Sequence, residues 1–131
     1  MILTTAAATC LALNVYFEAR NQDPDGQLLV AEVTMNRVYD DRFPDEICDV
    51  VYDKKAFSWT HDGRSDKPKN VEAYLRAQII AYDVLLNGCG LCMGATHYHT
   101  LTSRPYWADK LQVVGQWGDH IFYVEEQNEN H

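Results

Sequence analysis

The sequence predicts an α+β domain in which three to four helices come first and a small antiparallel β-sheet follows near the C-terminus. Three observations predict it. Apolar residues recur at three- and four-residue spacing as far as Gly88 and alternate thereafter, which is the change of period from helix to strand. Turn chemistry separates the segments at "NQDPDG" (21–26), Asn87-Gly88 and Gly115 to Gly118. The chain has 131 residues, 47% of them hydrophobic, enough for one packed core. Residues 1–131 are therefore expected to form a single domain, with a polar tail that frays from Glu125.

Each element has its own justification. The first helix is expected from about Thr4 to Arg20, with Leu11, Val15 and Glu18 sharing one stripe. Asp23 precedes Pro24, which disfavours helix at Asp23, and Asp25 is the expected N-cap of a second helix carrying Leu29, Val30, Val33 and Arg37. A short helix with Ile47, Val50 and Val51 follows Pro44. The stretch "KKAFSWTHDGRSDKPKN" (54–70) is irregular, and a loop of that length in a small domain usually serves function. Residues 71–88 read as a helix ending at Asn87-Gly88, with Val71, Tyr74, Leu75, Gln78, Ile79, Tyr82, Leu85 and Leu86 as its expected core stripe. "ATHYHT" (95–100) and the two arms of 111–124 read as strands, the latter as a hairpin.

Composition narrows the function. Lys and Arg total 11 against 19 Asp and Glu, a net charge of −8, which argues against non-specific nucleic acid or anionic membrane as a partner and leaves an uncharged polymer such as a glycan open. No apolar run is long enough for a transmembrane helix. "MILTTAAATCLAL" is apolar but lacks a positive n-region and runs straight into "NVYFEAR", so no signal peptide is expected. A monomer without cofactor is expected.

Four cysteines, Cys10, Cys48, Cys89 and Cys92, form an even set. In a secreted chain they would suggest disulfides of open connectivity; without an export signal, reduced thiols are expected. Zinc is a sharper alternative, since Cys89 and Cys92 precede His97 and His99 at compact spacing.

Glu18 is the residue that needs explaining, because a carboxylate does not belong on an apolar stripe. Either a cation such as Arg20 or Arg37 neutralises it in a buried pair, or it is a carboxylic acid whose pKa is raised by desolvation so that it can donate a proton near neutral pH.

The motifs around it decide between the two. "VYFEAR" (15–20), "GQLLVAEVTMNRV" (26–38), "FP" (43–44), "CDVVY" (48–52), "FSW" (57–59), "GATHYH" (94–99), "PYW" (105–107) and "GDHIFY" (118–123) occur in order. Over residues 11 to 124 the chain resembles the catalytic domain of the SleB-type cell wall hydrolases, the family of the spore cortex-lytic enzyme. The resemblance implies a small lysozyme-like fold, peptidoglycan glycan strands as substrate, and Glu18 at the catalytic glutamate position. It implies a lytic transglycosylase cutting between MurNAc and GlcNAc, in which Glu18 protonates the glycosidic oxygen and then, as carboxylate, takes a proton from the MurNAc 6-hydroxyl. Hydrolysis by inversion would need a second carboxylate, for which Asp62 is the candidate.

Other residues divide between site and scaffold. Phe57, Ser58 and Trp59 are expected at the substrate, with at least one aromatic lining the cleft; as core they would anchor the long loop. Alternation points His97 and His99 to one face and Tyr98 to the other, and all three are cleft candidates. Tyr106 and Trp107 either close the cleft or plug the core. Arg20, Asn36 and Arg37 are expected as structural support. Asn21-Gln22 departs from the Gly-Glu that often follows "EAR" in the family, which alters the turn and leaves the acid in place. A bare catalytic domain is expected, acting at the bacterial cell wall, either as a phage lysis enzyme released through a separate pore or as an exported bacterial protein. The rivals are a non-catalytic glycan-binding module and a zinc-dependent hydrolase using Cys89, Cys92, His97 and His99.

Overall fold

In the computed structural model, which describes residues 3–54 and 56–125, a sheaf of four helices packs against a three-stranded sheet. The helices are α1 (Thr5–Ala19), α2 (Pro24–Val38), α3 (Ile47–Val51) and α4 (Val71–Asn87); the strands are β1 (His97–Thr100), β2 (Gln112–Trp117) and β3 (His120–Val124). Short 3-10 turns at Ser58–His61 and Tyr106–Asp109 interrupt the loops. The element pattern predicted from periodicity is present throughout.

Helix α1 begins at Thr4, whose hydroxyl accepts the Ala7 N–H at 3.0 Å, a side-chain cap on an otherwise orphan donor. Its Leu11 and Val15 are fully buried, and it contacts α2, α3 and α4. One end of α2 differs from expectation. The N-cap is Asp23, in extended conformation, and Pro24 opens the helix with Asp25 in its first turn. Proline's fixed φ suits a first helical position, where no N–H is needed, so the helix starts earlier than an Asp25 cap would allow.

The buried face of α4 also differs. Ala73, Ala77, Ala81 and Val84 are buried, and Tyr74 and Leu85 of the expected stripe are half-buried against the core, whereas Val71, Leu75, Ile79, Tyr82 and Leu86 are exposed. Small side chains let α4 lie close against α1, the helix pair with the densest contact in the fold, and leave no room there for the larger ones. Asn70 caps α4 by accepting the Ala73 N–H at 3.0 Å, and the Asn70 N–H donates to the Tyr16 hydroxyl at 3.1 Å. Gly88, at φ 78°, ends the helix in a conformation side chains resist.

Buried polar groups fix the helices to one another. Asn14, with no exposed surface, donates to the Thr34 hydroxyl at 3.3 Å and accepts from the Trp59 indole at 2.7 Å. Glu32, also buried, accepts N–H groups of Gly90, Leu91 and Cys92 at 2.8, 3.0 and 2.9 Å, tying the post-α4 loop to α2. The cysteines are disulfide-bonded, Cys10 to Cys48 and Cys89 to Cys92, which corrects the expectation of reduced thiols.

The sheet has order β1-β3-β2, all antiparallel. β3 is the central strand, with Tyr98 opposite Phe122 and a bulge at Val113/Gly115. The β2–β3 turn is Gly118-Asp119, with Gly118 at φ 58°, as a two-residue hairpin turn requires. Gln22 clamps this turn to the α1–α2 corner: it accepts the Asp119 N–H at 3.0 Å and donates to the Asp119 carboxylate at 3.1 Å. The fraying expected of the tail concerns residues 126–131, outside the described residues; Glu125 itself accepts from Arg42 through its carbonyl.

Candidate active site

Glu18 sits on the last turn of α1, half-buried, and accepts a hydrogen bond from the Tyr98 hydroxyl. Two elements bring them together. The helical repeat carries Glu18 out along the stripe begun by Leu11 and Val15, and strand alternation turns Tyr98 inward while His97 and His99 face the other way. Tyr98 is held by rings on several sides, with centroids of His120 at 4.9 Å, Phe122 at 5.4 Å and Phe57 at 6.4 Å.

Burial shifts Glu18 toward its neutral form, and two neighbours oppose that shift. Burial raises the Glu18 pKa above its ordinary value of 4.5, while the Tyr98 hydrogen bond and the charge of Arg37 pull it back down. Burial also pushes the Tyr98 phenol well above its ordinary value, and Glu18 pushes it further in the same direction. Tyr98 therefore keeps its proton and always donates. Glu18 forms no contact ion pair with an arginine among the described residues; the Arg37 charge acts on it from farther away. Arg20 instead lies over the Tyr16 ring at 4.9 Å.

Arg37 and Asn36 hold the strand that carries Tyr98. Asn36 donates to the Ala95 carbonyl at 2.8 Å and Arg37 Nε to the Thr96 carbonyl at 2.7 Å. The Arg37 guanidinium is packed over Phe43 and Phe57 at 5.0 and 5.4 Å from the ring centroids. Its burial and these stacking faces make it a fixed positive charge behind the acid.

Beside Tyr98 and Arg37 opens a groove of about 230 Å³, whose lining includes Phe43, Asp53, Lys54, His97 and Trp107. Of the sequence candidates, Tyr98, His97 and Trp107 converge on this groove. His97 and His99 both pack on Trp107, at 4.9 and 5.7 Å. His97 stays neutral, its pKa lowered to about 4 by burial and by Arg37 and Arg42. His99 is buried: it donates from Nδ1 to the Thr100 carbonyl at 2.7 Å, so its Nε2 accepts from the Tyr123 hydroxyl at 2.7 Å.

Phe57 and Trp59 are buried, Trp59 stacked on Phe17 at 4.8 Å and bonded to Asn14, so their rings anchor the long loop. Ser58 is exposed. Tyr106 is exposed, with the Lys110 ammonium 5.6 Å from its ring. Asp62 is exposed and accepts the Arg64 N–H at 2.9 Å. The zinc alternative fails on donor chemistry: the Cys89 and Cys92 sulfurs are bonded to each other and both His99 nitrogens are engaged. Among the described residues no group of His, Cys, Asp and Glu is placed to hold a metal ion. Phe43, Asp53 and Lys54 were not found from sequence. Phe43 lies in the "FP" motif but nothing in it marks a groove residue, and nothing local distinguishes Asp53 and Lys54; all three reach the groove because the α2–α3 and α3–loop connections fold back beside β1.

Fold and site together define a cell wall hydrolase domain. Residues 21–123 match the family described as Cell Wall Hydrolase, and the chain belongs to it. The matched span begins just after Glu18, so the role of that residue rests on the geometry above and on the Tyr-x-Glu-Ala-Arg motif. The chain is 37% identical over 118 residues to the spore cortex-lytic enzyme of Bacillus subtilis (strain 168), covering 86% of this chain and 35% of that protein. It is 34% identical over 113 residues to that of Halalkalibacterium halodurans, covering 86% and 33%. The chain thus spans about a third of the length of these relatives. Among solved structures it is similar to the catalytic domain of the germination-specific lytic transglycosylase SleB from Bacillus anthracis, with a TM-score of 0.80 and 27% identity over 92% of this chain and 96% of that one. The Bacillus cereus SleB catalytic domain, at 24% identity and a TM-score of 0.73, shares the fold.

Proposed function

We propose that this chain is a peptidoglycan-cleaving lytic transglycosylase domain that cuts the MurNAc–GlcNAc bond and leaves 1,6-anhydro-MurNAc, with Glu18 as general acid and then base. The observation that carries the proposal is the half-buried Glu18 carboxyl, bonded to the Tyr98 hydroxyl with Arg37 behind it. Tyr98 donates to Oε1, so the proton of the neutral acid belongs on Oε2, available to a glycosidic oxygen. Transfer of that proton as the C1–O bond breaks leaves an oxocarbenium-like centre and a Glu18 carboxylate. Tyr98 and Arg37 stabilise the carboxylate. The MurNAc 6-hydroxyl then attacks C1 as Glu18 takes its proton, which closes the anhydro ring and restores the acid.

The groove supplies the rest. Trp107 and Phe43 offer apolar ring surface to sugar C–H faces, while Asp53, Lys54 and His97 offer hydrogen bonds. A second reading has one observation in its favour: Asp53 lines the groove and would be the base for hydrolysis by inversion, a better-placed candidate than Asp62. Mass spectrometry of products from purified cell walls decides between them. Anhydro ends support the one-carboxylate route; reducing ends only would refute it. Near-normal turnover by Glu18→Gln would refute both.

The site of action is the bacterial cell wall. Two disulfides fit a protein that works outside a reducing cytoplasm. A phage lysis enzyme released through a pore and an exported bacterial protein both reach that compartment, and expression in a phage-free host with wall turbidity as readout separates bacteriolytic action from housekeeping cleavage.

A further inference from the structure

Helix α4 has two apolar faces, and only one of them meets the core. Ala73, Ala77, Ala81 and Val84 are buried, while Val71, Leu75, Ile79, Tyr82 and Leu86 on the opposite face are 78, 56, 60, 47 and 75% exposed. At roughly 100° per residue these five side chains fall within an arc of about 80°. Leu75, Ile79, Tyr82 and Leu86 follow the alternating four- and three-residue spacing of a coiled-coil seam.

The flanks of this seam say what covers it. One flank carries Glu72, Arg76 and Asp83; the other carries Gln78 and Leu85. When two such helices pair in parallel, each flank meets the opposite flank of its partner, so Arg76 would face an uncharged row. In an antiparallel pair each flank meets itself. The register that sets Leu75 against Leu86 of a second copy, and Ile79 against Tyr82, also sets Arg76 beside Asp83, twice by symmetry. Arg76 has no ion pair among the described residues of the single chain. We infer that α4 is a self-association surface through which two copies of this chain form an antiparallel, two-fold symmetric dimer.

The seam is short. Helix α4 has 17 residues and is therefore about 25 Å long and ~10 Å across, which puts the interface at the low end of specific contacts, below about 1,200 Å² in total. The association is accordingly weak, in the micromolar range or above. The net charge of −8 opposes it at low salt, so it belongs at near-physiological ionic strength. No residue of α4 lines the groove beside Tyr98 and Arg37, so both grooves stay open in the dimer and one particle can grip a polymeric wall at two points. The inference does not depend on the reaction proposed above.

Analytical ultracentrifugation of the full chain from about 10 μM to about 1 mM tests it, with Ile79→Glu, Arg76→Asp, Asp83→Arg and the double charge swap beside wild type. The expected result is a concentration-dependent dimer that Ile79→Glu abolishes, that each single charge reversal weakens about tenfold or more by setting like charges together, and that the double swap restores. All three substituted positions are exposed, and circular dichroism confirms that each of the four variants is folded. A wild-type monomer at the highest concentration overturns the inference, whatever else the stripe docks. So does a dimer in which the double swap stays as weak as the single reversals.

Discussion

Replacing Tyr98 by Phe removes one hydroxyl and tests how Glu18 can serve as both acid and base. The ring contacts to His120, Phe122 and Phe57 remain, and no partner is left buried without a bond other than Glu18 itself, so the fold should hold. A hydrogen bond to a charged group is worth about 1.5–3 kcal/mol, or roughly 10- to 100-fold in rate at about 1.4 kcal/mol per decade. The bond favours the Glu18 carboxylate over the neutral acid and so lowers the pKa that burial raises. Its loss therefore moves the pKa up. The assay is kcat and kcat/KM for release of soluble muropeptides across the pH range. The proposed reaction needs the protonated acid, so activity is expected to fall as pH rises through the Glu18 pKa. For Tyr98→Phe this alkaline limb should move to higher pH while the plateau kcat drops about 10- to 100-fold, with KM little changed. An alkaline limb that stays put or moves down would refute the account of Tyr98, because a purely structural role does not move the limb upward.

Three further outcomes are expected. Glu18→Gln should lose at least about 10²-fold in kcat and gain stability near neutral pH. The raised folded pKa means that ionising Glu18 destabilises the fold, starting as pH rises through its ordinary value of 4.5 and complete above the folded value, so thermal melts of variant and wild type should coincide in acid and separate above it. Asp53→Asn should leave anhydro product within a few-fold of wild type if the one-carboxylate route holds, whereas a loss of about 10²-fold or more would transfer the second role to Asp53. Removing Cys10–Cys48, which bridges a separation of 38 residues, should cost about 4 kcal/mol, and removing Cys89–Cys92, separated by 3, under about 2 kcal/mol; denaturant midpoints measure both, and equal losses would contradict the loop-closure account.

What sequence could and could not reveal follows from the range of each interaction. The four helices and the hairpin were legible because their causes are local: period, capping and turn residues. Glu18 stands out in the sequence because it breaks a local pattern, though that pattern alone leaves a buried ion pair open; Tyr98 is a candidate only alongside His97 and His99, and its bond to Glu18 joins residues 80 apart in the chain. The face of α4 was misjudged for a non-local reason. Size suggests that Leu75, Ile79 and Tyr82 face the core, yet the buried face of α4 carries only three alanines and Val84, and nothing in residues 71–88 reports how close α1 lies. Cys10 and Cys48 pair from α1 to α3, across the intervening α2. Asp53 and Lys54 enter the groove because β1 returns beside the α3 loop, a juxtaposition set by the whole fold.

The environment of Glu18 is best understood as a balance. A fully desolvated, isolated carboxyl would hold its proton too tightly to give it up, and its conjugate base would be strongly disfavoured. A carboxylate locked bidentately to an arginine would never be protonated at neutral pH. Here the wall of α1 and the sheet withdraw water from the acid, while the Tyr98 hydroxyl and the more distant Arg37 charge offer the anion what it lost. In the proposed reaction Glu18 would supply a proton to one oxygen of the substrate and recover a proton from another, so that chemistry asks that neither state be strongly preferred. A single carboxyl held between opposing influences meets that demand; a strong ion pair or an all-apolar pocket would not.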